Sequence, residues 1–212
     1  MARKIGWVIM TLLSVLVGAY ALVFFFLPAA RPPLMQERFA AMPWAAYLHV
    51  GMAGLALAVG PFQFHARLRA RFRRLHRWTG RVYVIGVILG GVSGLAFATI
   101  AQGGPLARLG FGVLAVWWLV TTVLAYRRIR AGDVAAHKRW MIRSFALTFA
   151  AVTLRIYIPL SVVLGMDFAV AYPVIAWLCW VPNLVFGEWW IRREGLGKRV
   201  PSAIPVRLAE AA

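Results

Sequence analysis

Acidic residues are what this sequence has least of. Six Asp and Glu stand against 24 Lys and Arg in 212 residues, a formal net charge of +18. Cysteine is nearly missing as well. The one thiol, Cys179, has no partner for an internal disulfide. The absence of any CxxC or CxxCH removes covalent c-type haem and cysteine-rich zinc or iron–sulfur sites. No HExxH, Walker loop, GxGxxG or nucleophile triad occurs, so hydrolase and nucleotide-enzyme chemistry have no support. Charged residues make up only 14% of the chain and hydrophobic ones 62%, too little polar surface to clothe a soluble domain of this length.

What is present is a set of long apolar runs. Spans fall at about 5–27, 45–64, 82–102, 109–127, 142–164 and 168–190, each near the ~20 residues a helix needs to cross a bilayer. Only helices satisfy their own backbone within one such segment. The expectation is therefore an all-α polytopic membrane bundle of six helices, a single domain over 1–190 followed by a basic tail, 191–212. The first run reads as a retained span rather than a signal peptide: it is too long, and Phe24, Phe25, Phe26 and Leu27 do not resemble a cleavage site. Pro28, Pro32, Pro33 and Pro43 break the 28–44 linker. Gly103, Gly104 and Pro105 predict a tight turn between the third and fourth spans, and Gly165 to Asp167 another between the fifth and sixth.

The cations are sorted by these spans. Two lie at the N-terminus, seven between Arg67 and Arg81, six between Arg127 and Arg143, and five after the last span. Only Arg31, Arg38 and Arg108 fall on the other side, and Arg155 lies within a span. By the positive-inside rule both termini are cytoplasmic. Anionic phospholipid headgroups account for the net charge, so no nucleic-acid partner is called for.

The third span carries Gly86, Gly90, Gly91, Ser93 and Gly94, a stripe that suits close helix packing. The alternative is a flat face that leaves room for a planar cofactor. The two large basic loops end alike, in Arg77-Trp78-Thr79-Gly80-Arg81-Val82-Tyr83 and Arg139-Trp140-Met141-Ile142-Arg143-Ser144-Phe145, which share R-W-x-x-R-x-aromatic 62 residues apart. Duplication of a two-span hairpin explains this, and so do the shared needs of two helix starts.

Four histidines are candidate ligands. His76 and His137 precede the repeated motifs, His65 closes the second span, and His49 lies one turn inside its other end. Bis-histidine haem b needs ligating nitrogens about 4 Å apart. His76 with His137 is the leading pair, His65 a substitute, and Arg77, Arg81, Arg139 and Arg143 are candidate partners for haem propionates. On the other side, His49, Arg155 and Tyr157 form a second candidate site, for an anion or a quinone-like headgroup. Asp167 is the nearer carboxylate for Arg155. An arginine at that depth costs about 2.5–3.5 kcal/mol to insert, and either braces helix ends or binds a ligand's acid group.

His49, Gly60-Pro61-Phe62-Gln63-Phe64, the His76 to Tyr83 run, His137 to Thr148 and Leu154-Arg155 together resemble a bacterial membrane-protein family, domain of unknown function 2306, over about 45–190. The resemblance implies a multi-spanning inner-membrane protein without an assigned activity. A looser likeness is to b-type cytochrome bundles such as cytochrome b561, from which this chain departs by offering one histidine pair rather than two. Three functions follow: a haem-binding protein passing electrons to a quinone or membrane redox partner, a small-ligand transporter or sensor, and a non-catalytic subunit of a membrane complex.

Overall fold

The computed structural model of the chain describes residues 2–196. The rest of the 191–212 tail, from 197 onward, lies outside the described residues. Every regular element among the described residues is helical: α1 (Ala2–Phe26), α2 (Pro33–Ala41), α3 (Pro43–Val59), α4 (Ala66–Arg71), α5 (Arg73–Ala98), α6 (Gly104–Arg130), α7 (Val134–Thr148), α8 (Ala150–Val163), α9 (Phe168–Leu178) and α10 (Val181–Arg193). Short 3-10 turns cover Pro28–Ala30 and Gly60–Phe64. Six segments are long and apolar enough to cross a membrane: Lys4–Phe26, Pro43–Phe64, Arg73–Ala98, Gly104–Arg130, Val134–Val163 and Phe168–Arg193. The protein is thus an all-α polytopic membrane bundle.

Proline sets many of the boundaries. Pro33, Pro43, Pro105 and Pro182 sit in the first turn of their helices, where a missing N–H leaves no bond unmade. The 28–44 linker is therefore partly helical, in α2, rather than simply broken. Pro182 also divides the sixth span, because the carbonyl it would bond, that of Leu178, ends α9. The fifth span divides at Phe149 without a proline. Gly103, at φ +81°, and Gly165, at φ +67°, make the two turns expected of them.

The third and fifth spans start earlier than hydropathy predicts, at Arg73 rather than 82 and at Val134 rather than 142. Hydropathy reports greasiness, whereas Arg and Lys are good helix formers. Asp133 adds a cap to α7, its Oδ1 accepting from the Ala136 amide at 2.8 Å. The basic segments gather at one end of the bundle, termed the basic end below.

The glycine stripe of α5 is filled by helix packing, with no open face for a planar cofactor. A Cβ on Gly86 would lie 3.0 Å from the Met52 carbonyl of α3, and one on Gly90 would lie 3.1 Å from the Ala53 amide. Gly91 faces the other way, onto Leu119 of α6. The helices run in spatial order α1, α3, α5, α6, α7, with α9 on α6 and α10 on α7. By contrast α8 packs chiefly on α9, and only lightly on α1 and α7.

A buried polar knot holds α5, α6 and α7 together. The Tyr83 hydroxyl, fully buried, lies 2.8 Å from Ser144 Oγ and 2.7 Å from Thr148 Oγ1. Trp118 donates to Thr148 Oγ1 at 2.8 Å, and Thr122 meets Ser144 at 2.6 Å. Thr148 gives its own proton to the Ser144 carbonyl, at 2.9 Å, and indole can only donate, so Tyr83 must donate to Thr148. Tyr83→Phe removes that donor and takes one partner each from Ser144 and Thr148, which keep Thr122 and Trp118. We expect a loss of about 0.5–1.5 kcal/mol, read as a lower midpoint of thermal unfolding in detergent, with no change in helix content by circular dichroism.

Candidate functional site

In the half of the bundle away from the basic end lie His49 of α3 and Arg155 of α8. Gly94 of α5 makes room for the imidazole: a Cβ there would fall 2.7 Å from His49 Nδ1. That nitrogen lies 2.8 Å from the Gly90 carbonyl. A carbonyl only accepts, so Nδ1 carries the proton and Nε2 is left for another group. The ring also stands 6.0 Å from that of Phe97. Arg155 on α8 lies within electrostatic reach of His49.

Arg155 is eight residues, about 12 Å, from the C-terminal end of α8. Its Nη1 donates to the Ala151 carbonyl of its own helix at 2.8 Å, and the guanidinium lies 5.6 Å from the Tyr20 ring centroid of α1. Asp167, the carboxylate expected beside it, instead caps α9 by accepting from the Ala169 amide at 2.6 Å. Among the described residues no carboxylate pairs with Arg155. Pro159 adds to the imbalance. It has no N–H for the carbonyl four residues back, which is that of Arg155 itself. The same turn thus presents an unneutralised cation and a carbonyl without its helical donor. Tyr157 does not join this pair. Two residues on, about 200° around the helix, it packs against the main core.

Sequence reasoning did not single out two arginines nearby. Arg31, 8% exposed, donates from Nε to the Phe24 carbonyl at 2.7 Å and from Nη2 to the Tyr47 hydroxyl at 2.9 Å, and its guanidinium lies 3.8 Å from the Phe39 ring centroid. It closes the C-terminal end of α1 onto α2 and α3. Arg38 on α2 donates to the Tyr172 hydroxyl of α9 at 3.2 Å, while its buried Nε has no partner. The signal was available: both belong to the trio on the cation-poor side.

The basic end gathers the other histidines but does not build a porphyrin site. His76 lines a cavity of about 180 Å³ with Val59, Gln63, Arg69 and Thr79, and His137 is not among its walls. Cofactor sites usually enclose roughly 300–1,000 Å³. The two histidines are within electrostatic reach of each other, and His137 Nδ1 is 2.9 Å from the Ala125 carbonyl, which leaves its Nε2 available. His65 does not serve as the substitute ligand. Its Nδ1 accepts the Leu68 amide at 3.1 Å as the cap of α4, which puts the proton on Nε2, and its ring packs on Trp7 at 4.7 Å. Two of the four propionate candidates are also engaged. Arg143 forms a forked ion pair with Glu188, Nη2 to Oε2 at 3.0 Å, and Arg139 donates to the Leu196 carbonyl at 2.7 Å. Arg81 lies over Trp78, and Arg77 is exposed. The residues present do not fit haem b in this arrangement.

The repeated motifs share one local geometry. Arg81 lies 5.2 Å over Trp78 and Arg143 4.5 Å over Trp140, as an i, i+3 spacing allows on any helix. Tyr83 and Phe145 both turn inward onto Gly60, where a Cβ would meet both rings.

The sequence model of a family described as Predicted membrane protein (DUF2306) matches residues 46–191. No curated protein and no solved structure matches the chain. The matched stretch carries His49, Arg155 and the whole glycine stripe, but not α1 with its Tyr20. It runs from the first turn of α3 into the last turn of α10, well over half of the chain, and the protein therefore belongs to the DUF2306 family of predicted membrane proteins.

Proposed function

We propose that the protein is a bacterial inner-membrane transporter or sensor, with both termini cytoplasmic, that binds a small organic anion between α3, α5 and α8. His49 and Arg155 recognise the anion. The observation that carries this reading is Arg155, held at membrane depth without a carboxylate among the described residues. An intramembrane cation left unneutralised is costly and points to a bound or passing counter-charge. The light packing of α8 against α1 and α7 supports it, because few contacts tie down the helix that carries Arg155. His49 Nε2 adds a second polar group, so the pair suits a ligand that presents more than one oxygen. A quinone headgroup is the rival ligand at the same place, favoured by the combination of a guanidinium donor and an imidazole acceptor.

The test is thermal unfolding of the purified protein with benzoate, inorganic phosphate or a short-tailed quinone. Benzoate is expected to raise the midpoint for the natural sequence and not for Arg155→Gln. Gly94→Val gives an independent arm, since its side chain pushes His49 off the Gly90 carbonyl without deleting either residue; the benzoate effect should fall there too. A rise with quinone alone selects the rival, and no rise with any of the three ends both. Haem b remains the competing cofactor proposal. Protein from haem-replete cells is expected to lack a Soret band, and a stoichiometric band would reverse that judgement. Orientation is read by a fusion after Arg207: a fluorescent protein should light up there and alkaline phosphatase should stay silent.

A further inference from the structure

On the outer surface of α5 and α6, away from His49 and Arg155, lies an open groove of about 670 Å³. Thr99 and Arg108 stand at one end, and Val113, Val116 and Trp117 continue along its length. Its floor includes Gly112, where a Cβ would meet nothing within 4 Å. From Arg108 to Trp117 the helix rises about 14 Å, close to half of the ~30 Å hydrocarbon core. The groove is thus one leaflet deep, apolar along its length and cationic at the end opposite the basic segments. Arg108 is exposed; its Nε donates to the Ala101 carbonyl at 3.3 Å, and no carboxylate among the described residues pairs with it.

We infer that this groove is a binding site for an anionic phospholipid, with one acyl chain along Gly112, Val116 and Trp117 and the headgroup phosphate on Arg108. Length and polarity match an acyl chain of the leaflet at that end. The single cation distinguishes among headgroups. A phosphatidylethanolamine phosphate is already balanced by its own ammonium, whereas a phosphatidylglycerol phosphate is not, so the guanidinium favours the latter. A quinone would leave Arg108 without an anion.

The basic end also attracts anionic lipid, so the test must be local. The full chain is placed in phosphatidylethanolamine nanodiscs with a small fraction of phosphatidylglycerol bearing a photoreactive acyl chain, and crosslinks are mapped by mass spectrometry. Labelling is expected within 95–117. Unlabelled phosphatidylglycerol should compete there and phosphatidylethanolamine should not. Arg108→Gln should reduce groove labelling about fivefold, the scale of one basic residue near an anionic lipid, while labelling at the basic end stays constant. Arg108→Lys should keep most of it. Gly112→Phe, whose Cβ meets nothing within 4 Å and whose ring takes up space in the groove, should abolish it. Equal competition by phosphatidylethanolamine or by a quinone, or groove labelling unchanged in Arg108→Gln or Gly112→Phe, overturns the proposal.

Discussion

Within hydrocarbon there is no water to satisfy a polar group, and this constraint organises the molecule. The chain answers it from within at nearly every point. Ser93 turns its hydroxyl back to the Leu89 carbonyl at 2.6 Å. Where Pro182 divides the sixth span, Thr153 of α8 and Asn183 both donate to the Cys179 carbonyl, the latter at 2.9 Å. Tyr83, Trp118, Thr122, Ser144 and Thr148 satisfy one another across three helices. Among the described residues, three buried side-chain atoms have no partner: Ser14 Oγ, Arg38 Nε and Trp180 Nε1. Arg155, the cation deepest in the bundle, has a hydrogen bond but no counter-charge among the described residues.

Packing and polarity are one problem in α5. The same stripe that brings α3 to van der Waals contact through Gly86 and Gly90 places Gly94 beneath His49. Rotating either helix by one residue, about 100°, would carry the imidazole away from the Gly90 carbonyl. The candidate site therefore inherits its geometry from the helix pair. A stripe of small residues, bland by itself, fixes which imidazole nitrogen carries the proton.

Six spans and the helical class were legible because length, hydropathy and proline each act locally. The relation between Pro159 and the Arg155 carbonyl was also legible, since it depends only on a separation of four. What sequence could not give was the partner of each polar group. His65, His76 and His137 are alike on paper. In the fold one caps a helix, one lines a small cavity and one donates to a carbonyl twelve residues earlier. Asp167 lies near Arg155 along the chain yet caps α9, because an amide two residues away outcompetes a guanidinium on another helix. Likewise Arg143, a candidate propionate partner in the sequence, has Glu188, far along the chain, as its neighbour in space.

The two ends of the bundle use cations differently. At the basic end charge acts by number. Most of those arginines are exposed, and of them only Arg143 has a carboxylate partner among the described residues. Losing one changes little of a field that many share. At the opposite end each arginine is placed. Arg31 ties off a helix terminus, Arg38 bridges α2 to α9, and Arg108 heads a groove one leaflet deep. Arg155, deeper still, faces Tyr20 and the His49 side of the bundle. A sparse charge in a low-dielectric setting is felt strongly and screened weakly. The crowded end thus supplies a shared field, whereas each of these four cations is held in a defined place by its own contacts.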